Sequence, residues 1–203
     1  MHKEILSEEQ LKILPLIKNF SSDFGLVGGT AIALQIGHRS SIDFDLFTRS
    51  TLNHDRIRKE IRDFYEIKSI LVEEPNELTL VVEGVKITFL NYPFEINYSV
   101  GFEDVIKMPD VLTLSAMKAF ALGKRAKWKD YVDLFFILKI YGISEVVNKA
   151  KSMFGSEFNE RLFREQLSYF DDIDYTEKID YVGENYVSDD EIKKFISDTS
   201  LQV

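Results

Sequence analysis

The chain has 203 residues, enough for one large domain or two small ones. It is 45% hydrophobic and 29% charged, as in a soluble globular protein, and it has no cysteine, which excludes disulfides and zinc–thiolate sites and fits a reducing cytosol. A net charge of −9 excludes a surface that traps polyanions as a whole, so any RNA or nucleotide contact must use a local basic patch.

Sixteen Phe and nine Tyr supply an aromatic core. No apolar run is long enough to span a bilayer, and His2, Lys3 and Glu4 lead into a mixed helix rather than the apolar stretch of a secretory signal. Ser7-Glu8-Glu9-Gln10 fits a capping box, with an amphipathic helix through Leu11, Leu14 and Ile17 behind it. Pro15 predicts either a kink in that helix or two short helices.

The chemistry begins at Phe24. A short apolar run to Val27 is followed by Gly28-Gly29-Thr30, a small-residue helix from Ala31 to Ile36, and the loop Gly37-His38-Arg39-Ser40-Ser41. Then comes Ile42-Asp43-Phe44-Asp45-Leu46-Phe47. Read as a strand, this run turns Ile42, Phe44 and Leu46 toward a core and both carboxylates to the other side. Two like charges about 4 Å apart repel by roughly 4 kcal/mol at an effective dielectric of 20, and a divalent cation between them reverses the sign. Mg²⁺ is held in this way by one or two carboxylates together with water and phosphate oxygens. The paired glycines let backbone approach a ligand closely, Thr30 stands where a helix N-cap belongs, and free N–H groups at a helix start bind phosphate.

These residues resemble the first motif of the AbiEii/AbiGii-type nucleotidyltransferase toxins, within the polymerase-beta-like nucleotidyltransferase superfamily: Gly28-Gly29-Thr30, the short helix, Gly37-His38-Arg39 and Ser41-Ile42-Asp43-Phe44-Asp45. The resemblance implies transfer of a nucleotide from an NTP with Mg²⁺. It assigns phosphate to Gly28, Gly29 and Thr30, and metal to Asp43 and Asp45.

Asn53 to Phe64 reads as a helix with Ile57, Ile61 and Phe64 on one face and a solvated, charged remainder. Strands are expected at Ile67–Val72, Leu78–Val82 and Val85–Leu90, with turns at Glu74–Glu77 and at Glu83-Gly84. Many enzymes of the superfamily carry a third carboxylate on the last of these strands. Here alternation turns Val85, Ile87 and Phe89 inward, and Thr88 stands where that acid is expected, a departure that bears on any two-metal scheme. Val105 to Met108 reads as a last short strand in a connection bracketed by Pro93 and Pro109.

Asp110 precedes a helical stripe of Val111, Leu114, Met117, Ala121 and Leu122 that includes Lys118. A second helix is expected from Asp130 to Tyr141, closed by Gly142. Leu114 to Arg125 resembles the lysine-bearing helix motif of the same family, and Lys129-Asp130-Tyr131-Val132-Asp133-Leu134 resembles its basic-Asp-x-x-Asp-Leu motif. An ammonium neutralises charge on transferring phosphates. Lys118 is therefore the candidate for that role, with Asp130 to orient Lys118 or Arg125 or to accept a proton. Asp133 is a further catalytic candidate or an ion-pair partner of Arg125, and Arg125 a nucleotide-binding candidate. Lys124, Arg125, Lys127, Trp128 and Lys129 form the one dense basic-aromatic cluster, able to meet triphosphate or an RNA backbone or to be a solvated loop.

Helices are expected at Glu145–Phe154, at Glu157–Phe170 and after the capping box Ser188–Glu191, with Thr199 to Val203 frayed. The fold expected is α+β: a nucleotidyltransferase-like domain over residues 1–108 with a mixed sheet of about five strands, and a helical domain over 109–203 that completes the active-site cleft. The function expected is an Mg²⁺-dependent, cytoplasmic nucleotidyltransferase. The family implies the toxin of a toxin–antitoxin or abortive-infection system, with tRNA or another RNA as acceptor and a cognate antitoxin as partner. Two other readings stand beside it: a catalytically degenerate NTP- or protein-binding module on the same fold, and a small-molecule nucleotidyltransferase of the antibiotic-modifying kind.

Overall fold

The computed structural model describes residues 1–122 and 125–202; Gly123, Lys124 and Val203, which the motif readings above include, lie outside the described residues. The chain divides into two compact units, Met1–Asp110 and the remainder from Val111 onward.

In the first unit, helix α1 (Glu8–Asn19) opens on the expected capping box, the Ser7 side chain receiving the Gln10 N–H and the Gln10 side chain receiving the Ser7 N–H. It runs on as one helix with Pro15 inside it. At its end Phe20 meets Phe89 edge-on, ring centroids 4.8 Å apart, with Phe24 closing the cluster at 5.3 Å from Phe89. This seats the strand that starts at Gly25 against the core.

Strand β1 (Gly25–Val27) passes directly into helix α2 (Gly28–Ile36), which is buried on nearly every side because its residues are small or aliphatic. Strand β2 (Phe44–Thr48) follows, then helix α3 (His54–Arg62) and strands β3 (Ile67–Glu74), β4 (Glu77–Val82) and β5 (Val85–Asn91). They form one mixed sheet in the order β1-β2-β5-β4-β3, in which only β2 and β5 run parallel. Strands β6 (Val100–Phe102) and β7 (Ile106–Met108) make a separate antiparallel pair. The expected alternation on β5 is present: Val85, Ile87 and Phe89 are buried, and Lys86 and Thr88 face the other way. Phe64 departs from expectation. It lies beyond the end of α3 and is exposed rather than part of the buried face of Ile57 and Ile61.

The second unit is helical: α4 (Val111–Leu122), α5 (Trp128–Phe154), α6 (Glu160–Leu167) and α7 (Asp189–Ser200). Gly142 breaks α5 with φ of 72°, at the position where the sequence signalled a stop. Phe120 stacks on Phe154 at 4.2 Å, tying α4 to the second half of α5, and Phe135 meets Phe195 at 5.1 Å, tying the first half of α5 to α7. Thr199 and Ser200, expected to be frayed, instead lie in α7 and are buried. No helix of the described residues is long and apolar enough to cross a membrane.

Gly25, on the edge strand of the sheet, has no room for a side chain. The ring of Tyr98, whose hydroxyl donates to the Phe47 carbonyl at 3.1 Å, lies where a Cβ on residue 25 would stand. Gly25→Ala is expected to overpack this contact and cost about 1–3 kcal/mol, read as a lower urea midpoint at unchanged slope. A variant as stable as the parent chain would contradict the contact.

Candidate active site

The first group of site residues gathers where β1 becomes α2. The antiparallel register sets Val27 opposite Asp45, so the Asp45 side chain lies beside the helix start. The chain turns there through Gly28 at φ of 74°, a conformation that costs glycine little. A Cβ at position 28 would overlap the Asp45 carboxylate, and one at position 29 would come within 2.6 Å of Arg39 Nη2 and 3.3 Å of Ser41 Oγ. The two glycines thus admit an acid and a guanidinium to the same corner. Arg39 is buried and also donates from Nη1 to the Ser40 carbonyl at 2.8 Å.

Thr30 does not cap α2. The N-cap residue is Val27, no side chain caps the helix, and Thr30 is its third residue. The reason is that Gly28 already makes the turn that a capping residue would otherwise start. Thr30 is buried; its hydroxyl donates to the Asp43 carbonyl and lies 2.9 Å from Ser41 Oγ. It therefore fixes the loop that carries the first acid. First-turn N–H groups of a helix have no intrahelical acceptor, and with the dipole they make a place for an anion.

Asp43 and Asp45 are both half-buried, but only Asp45 lies in the strand. β2 begins at Phe44, where β5 offers its first partner, Ile87. Ile42 is consequently 68% exposed and not part of the core, contrary to the alternation expected. Asp43 Oδ2 sits 2.6 Å from Lys86 Nζ, and Asp45 pairs across the parallel ladder with Thr88. Among the described residues there is no group of three or more His, Cys, Asp or Glu placed to hold a metal ion. The Asp45 carboxylate beside the helix start, with Asp43 two residues before it, is a donor set of the kind that a single Mg²⁺ takes when water and phosphate oxygens complete its shell.

The second group is in the helical unit. Lys118 on α4 is 6% exposed, and its ammonium contacts Asp130 Oδ1 and lies 2.7 Å from Asp133 Oδ2. Both aspartates are fully buried in the opening turns of α5, where i,i+3 spacing puts them on one face. Arg125 Nε is 3.3 Å from Asp130 Oδ2, an ion pair without hydrogen-bond geometry, and its side chain is half exposed. Two cations and two anions close the local charge balance. Asp133 pairs with Lys118 rather than with Arg125, one of the two alternatives the sequence offered for it. Asp130 does not open the helix; Trp128 does, after Lys127 as N-cap.

The basic-aromatic cluster is largely consumed by the fold. Lys127 Nζ is 2.7 Å from Glu177 Oε1, and Lys129 contacts Glu177 Oε2. Trp128 is 4% exposed, with its ring centroid 5.9 Å from Tyr131 and 5.2 Å from Tyr175 and the Lys193 ammonium 5.6 Å away. A residue packed in this way presents no face to a nucleic-acid base. Arg39 and Ser41, quoted in the first motif without a role of their own, and Lys86 are neighbours of the site acids. The period-2 pattern on β5 already put Lys86 on the same side as Thr88, and that was the available signal.

Two predictions follow from these charges. Removing one member of a buried ion cluster strands the other, so Lys118→Met is expected to lose about 3–5 kcal/mol, while Asp45→Asn changes stability by about 1 kcal/mol or less; urea titration of both variants decides. Burial works against the charge of Glu177, but its hydrogen bonds to Lys127 and Lys129 outweigh it and pull the carboxyl from 4.5 down to about 2. A depressed folded-state value stabilises above the unfolded value and is lost as pH falls through the folded one. The stability gap between the parent chain and Glu177→Gln should therefore be full at pH 6 and shrink between pH 4.5 and 2. A gap independent of pH would contradict the bridge.

Comparison with known proteins agrees with this architecture. A protein of Aquifex aeolicus (strain VF5), described as uncharacterized, is 28% identical over 179 residues, covering 82% of this chain and 84% of that one. The crystal structure of a putative nucleotidyltransferase from H. pylori superposes with a TM-score of 0.57 at 18% identity, over 96% of this chain and 94% of that one. MenT4, a nucleotidyltransferase toxin from Mycobacterium tuberculosis H37Rv, superposes with a TM-score of 0.61 at 13% identity, over 95% and 82%. At these identities the two structural likenesses are of fold. The family model described as "Nucleotidyl transferase AbiEii toxin, Type IV TA system" matches residues 17–198, nearly the whole chain. The chain is therefore a nucleotidyltransferase and belongs to the AbiEii toxin family of toxin–antitoxin systems.

Proposed function

We propose that this nucleotidyltransferase moves a nucleotide from an NTP to a hydroxyl of RNA, with tRNA the first acceptor to test, and that it requires Mg²⁺. The observation that carries the reading is the corner at Gly28, where an uncapped helix start and the Asp45 carboxylate are placed side by side. In the reaction the acceptor oxygen attacks the α-phosphorus, the bond to the β-phosphate oxygen breaks, and pyrophosphate leaves. Bound Mg²⁺ would supply charge neutralisation on the phosphates.

Gly28, Gly29 and Thr30 offer first-turn N–H groups to phosphate oxygens, and Thr30 also holds the Asp43 loop in place. Asp43 and Asp45 are the metal ligands. Lys118 stabilises negative charge on the phosphates, as ammonium groups do in phosphoryl and nucleotidyl transfer. Asp130 and Asp133 orient Lys118. Both oxygens of Asp130 face cations, Lys118 and Arg125, and this favours an orienting role over that of proton acceptor. Arg125, half exposed, is a nucleotide contact. The family supports a cognate antitoxin as partner, and an NTP and RNA as substrates support a cytoplasmic site of action.

One observation favours a second reading. Thr88 stands opposite Asp45 where a third carboxylate is expected, and a chain with that loss can bind an NTP without turning it over.

Incubation of the purified chain with Mg²⁺, each α-³²P-labelled NTP in turn and total RNA separates the readings. Label is expected in RNA, with Asp45→Ala and a folded Lys118 variant lower by about 10²-fold or more. NTP binding with no label in any acceptor would support the degenerate module, and label on an added small hydroxyl or amine compound would support a small-molecule enzyme.

A further inference from the structure

Lys86 has no assigned role, yet it touches one of the two site acids. Its ammonium is 2.6 Å from Asp43 Oδ2, and the side chains are 38% and 18% exposed, so the pair is partly withdrawn from water. The contact follows from the sheet. β2 and β5 run parallel with Phe44 level with Ile87 and Asp45 level with Thr88, and Asp43, one residue before this ladder, meets Lys86, one residue before Ile87. Lys86 and Thr88 share one side of β5, Asp45 stands level with Thr88, and the Asp43 carboxylate meets the Lys86 ammonium. On that side Thr88 holds no charge; its hydroxyl is 3.3 Å from that of Thr79.

The charges of this group differ from those of a two-metal site. Two divalent ions bring four positive charges and are held by three or more acids or their equivalents. Here Asp43, Asp45 and Lys86 sum to −1, the Arg39 guanidinium in the same corner brings the balance to zero, and the described residues offer no third acid or histidine for a metal. An ammonium against an oxygen of Asp43 competes with a metal for that oxygen and repels a second divalent ion nearby. It also brings a positive charge of its own toward whatever anion the site receives. A strand-borne lysine does so without the dehydration that Mg²⁺ resists.

We propose that Lys86 is the second cation of this active site: the chain takes one divalent ion with its nucleotide, and the Lys86 ammonium, held by Asp43, replaces the other. The proposal rests on the nucleotidyltransferase reading of the Asp43–Asp45 corner. It makes Lys86 a nucleotide-facing residue and limits Asp43 to sharing its carboxylate between the lysine and the single ion.

Mn²⁺, in place of Mg²⁺, makes the test spectroscopic. The full chain is titrated with Mn²⁺ alone, and then with saturating Mn²⁺ and an α,β-methylene NTP, and followed by electron paramagnetic resonance. The parent chain is expected to show a mononuclear signal only. Lys86→Met, with Asp43 released, should bind Mn²⁺ alone at least threefold more tightly and the nucleotide analogue at least tenfold more weakly. Lys86→Arg, which keeps the charge, should restore nucleotide affinity to within about threefold of the parent chain, an outcome a merely structural role would not give. Lys86→Met combined with Thr88→Asp should produce the spin-coupled signal of two adjacent Mn²⁺ ions. A coupled pair in the parent chain, no bound Mn²⁺ at all, or a Lys86→Met variant with unchanged Mn²⁺ and nucleotide affinities would overturn the proposal. The titration without nucleotide reads Lys86 independently of catalysis. A chain that labels no acceptor but still tightens its grip on Mn²⁺ in Lys86→Met sinks the transfer reading and leaves the lysine–carboxylate competition standing.

Discussion

A side chain at position 28 and the carboxylate of Asp45 cannot occupy the space they would share, and the site grows from that exclusion. The β1–β2 register brings Asp45 level with the last residue of β1. The chain must then leave the sheet at once, through a left-handed glycine, to begin α2. One steric requirement thereby sets an acid beside a helix start that no side chain caps. Thr30 completes the corner by fastening the Asp43 carbonyl to the same helix. The position of the first acid is thus secured by backbone, and its carboxylate meets Lys86.

Charge compensation is the second organising feature. Asp43 contacts Lys86, Asp130 contacts Lys118 and Arg125, and Asp133 contacts Lys118. The two clusters differ in what their burial permits. Lys118, Asp130 and Asp133 are withdrawn from water, where an unpaired charge is costly, so their geometry is rigid and their loss destabilises the helical unit. Asp43, Asp45 and Lys86 keep partial exposure, so their charges stay in contact with water. The helical unit thus holds a charge-balanced buried cluster, and the sheet unit a partly exposed one.

Much of this was legible in residue order, and the exceptions have physical causes. The glycine pair, the two aspartates, the lysine helix and the Asp-x-x-Asp run are contiguous motifs, and contiguity is what a sequence displays. The mixed sheet followed by helices was equally readable, because β5 alternates and α4 carries a helical stripe. The errors fall where a neighbour distant in sequence decides. Ile42 looks like a strand residue, but β5 offers no partner before Ile87. Thr30 has the chemistry of a cap, yet Gly28 makes the turn first. Trp128 and its lysines look like a nucleic-acid patch until Glu177 and Tyr175, nearly fifty residues on, cover them. Lys86 was visible on the correct side of its strand, but its partner depended on a parallel register that alternation alone does not reveal.

The central claim is that the Gly28 corner is where the triphosphate and its metal bind. Crystals grown with Mn²⁺ and an α,β-methylene NTP, measured at the manganese absorption edge, test it most directly. The account predicts one anomalous peak within coordination distance of Asp45, with phosphate oxygens against the first turn of α2. A nucleotide bound elsewhere, or manganese bound away from Asp43 and Asp45, would contradict it.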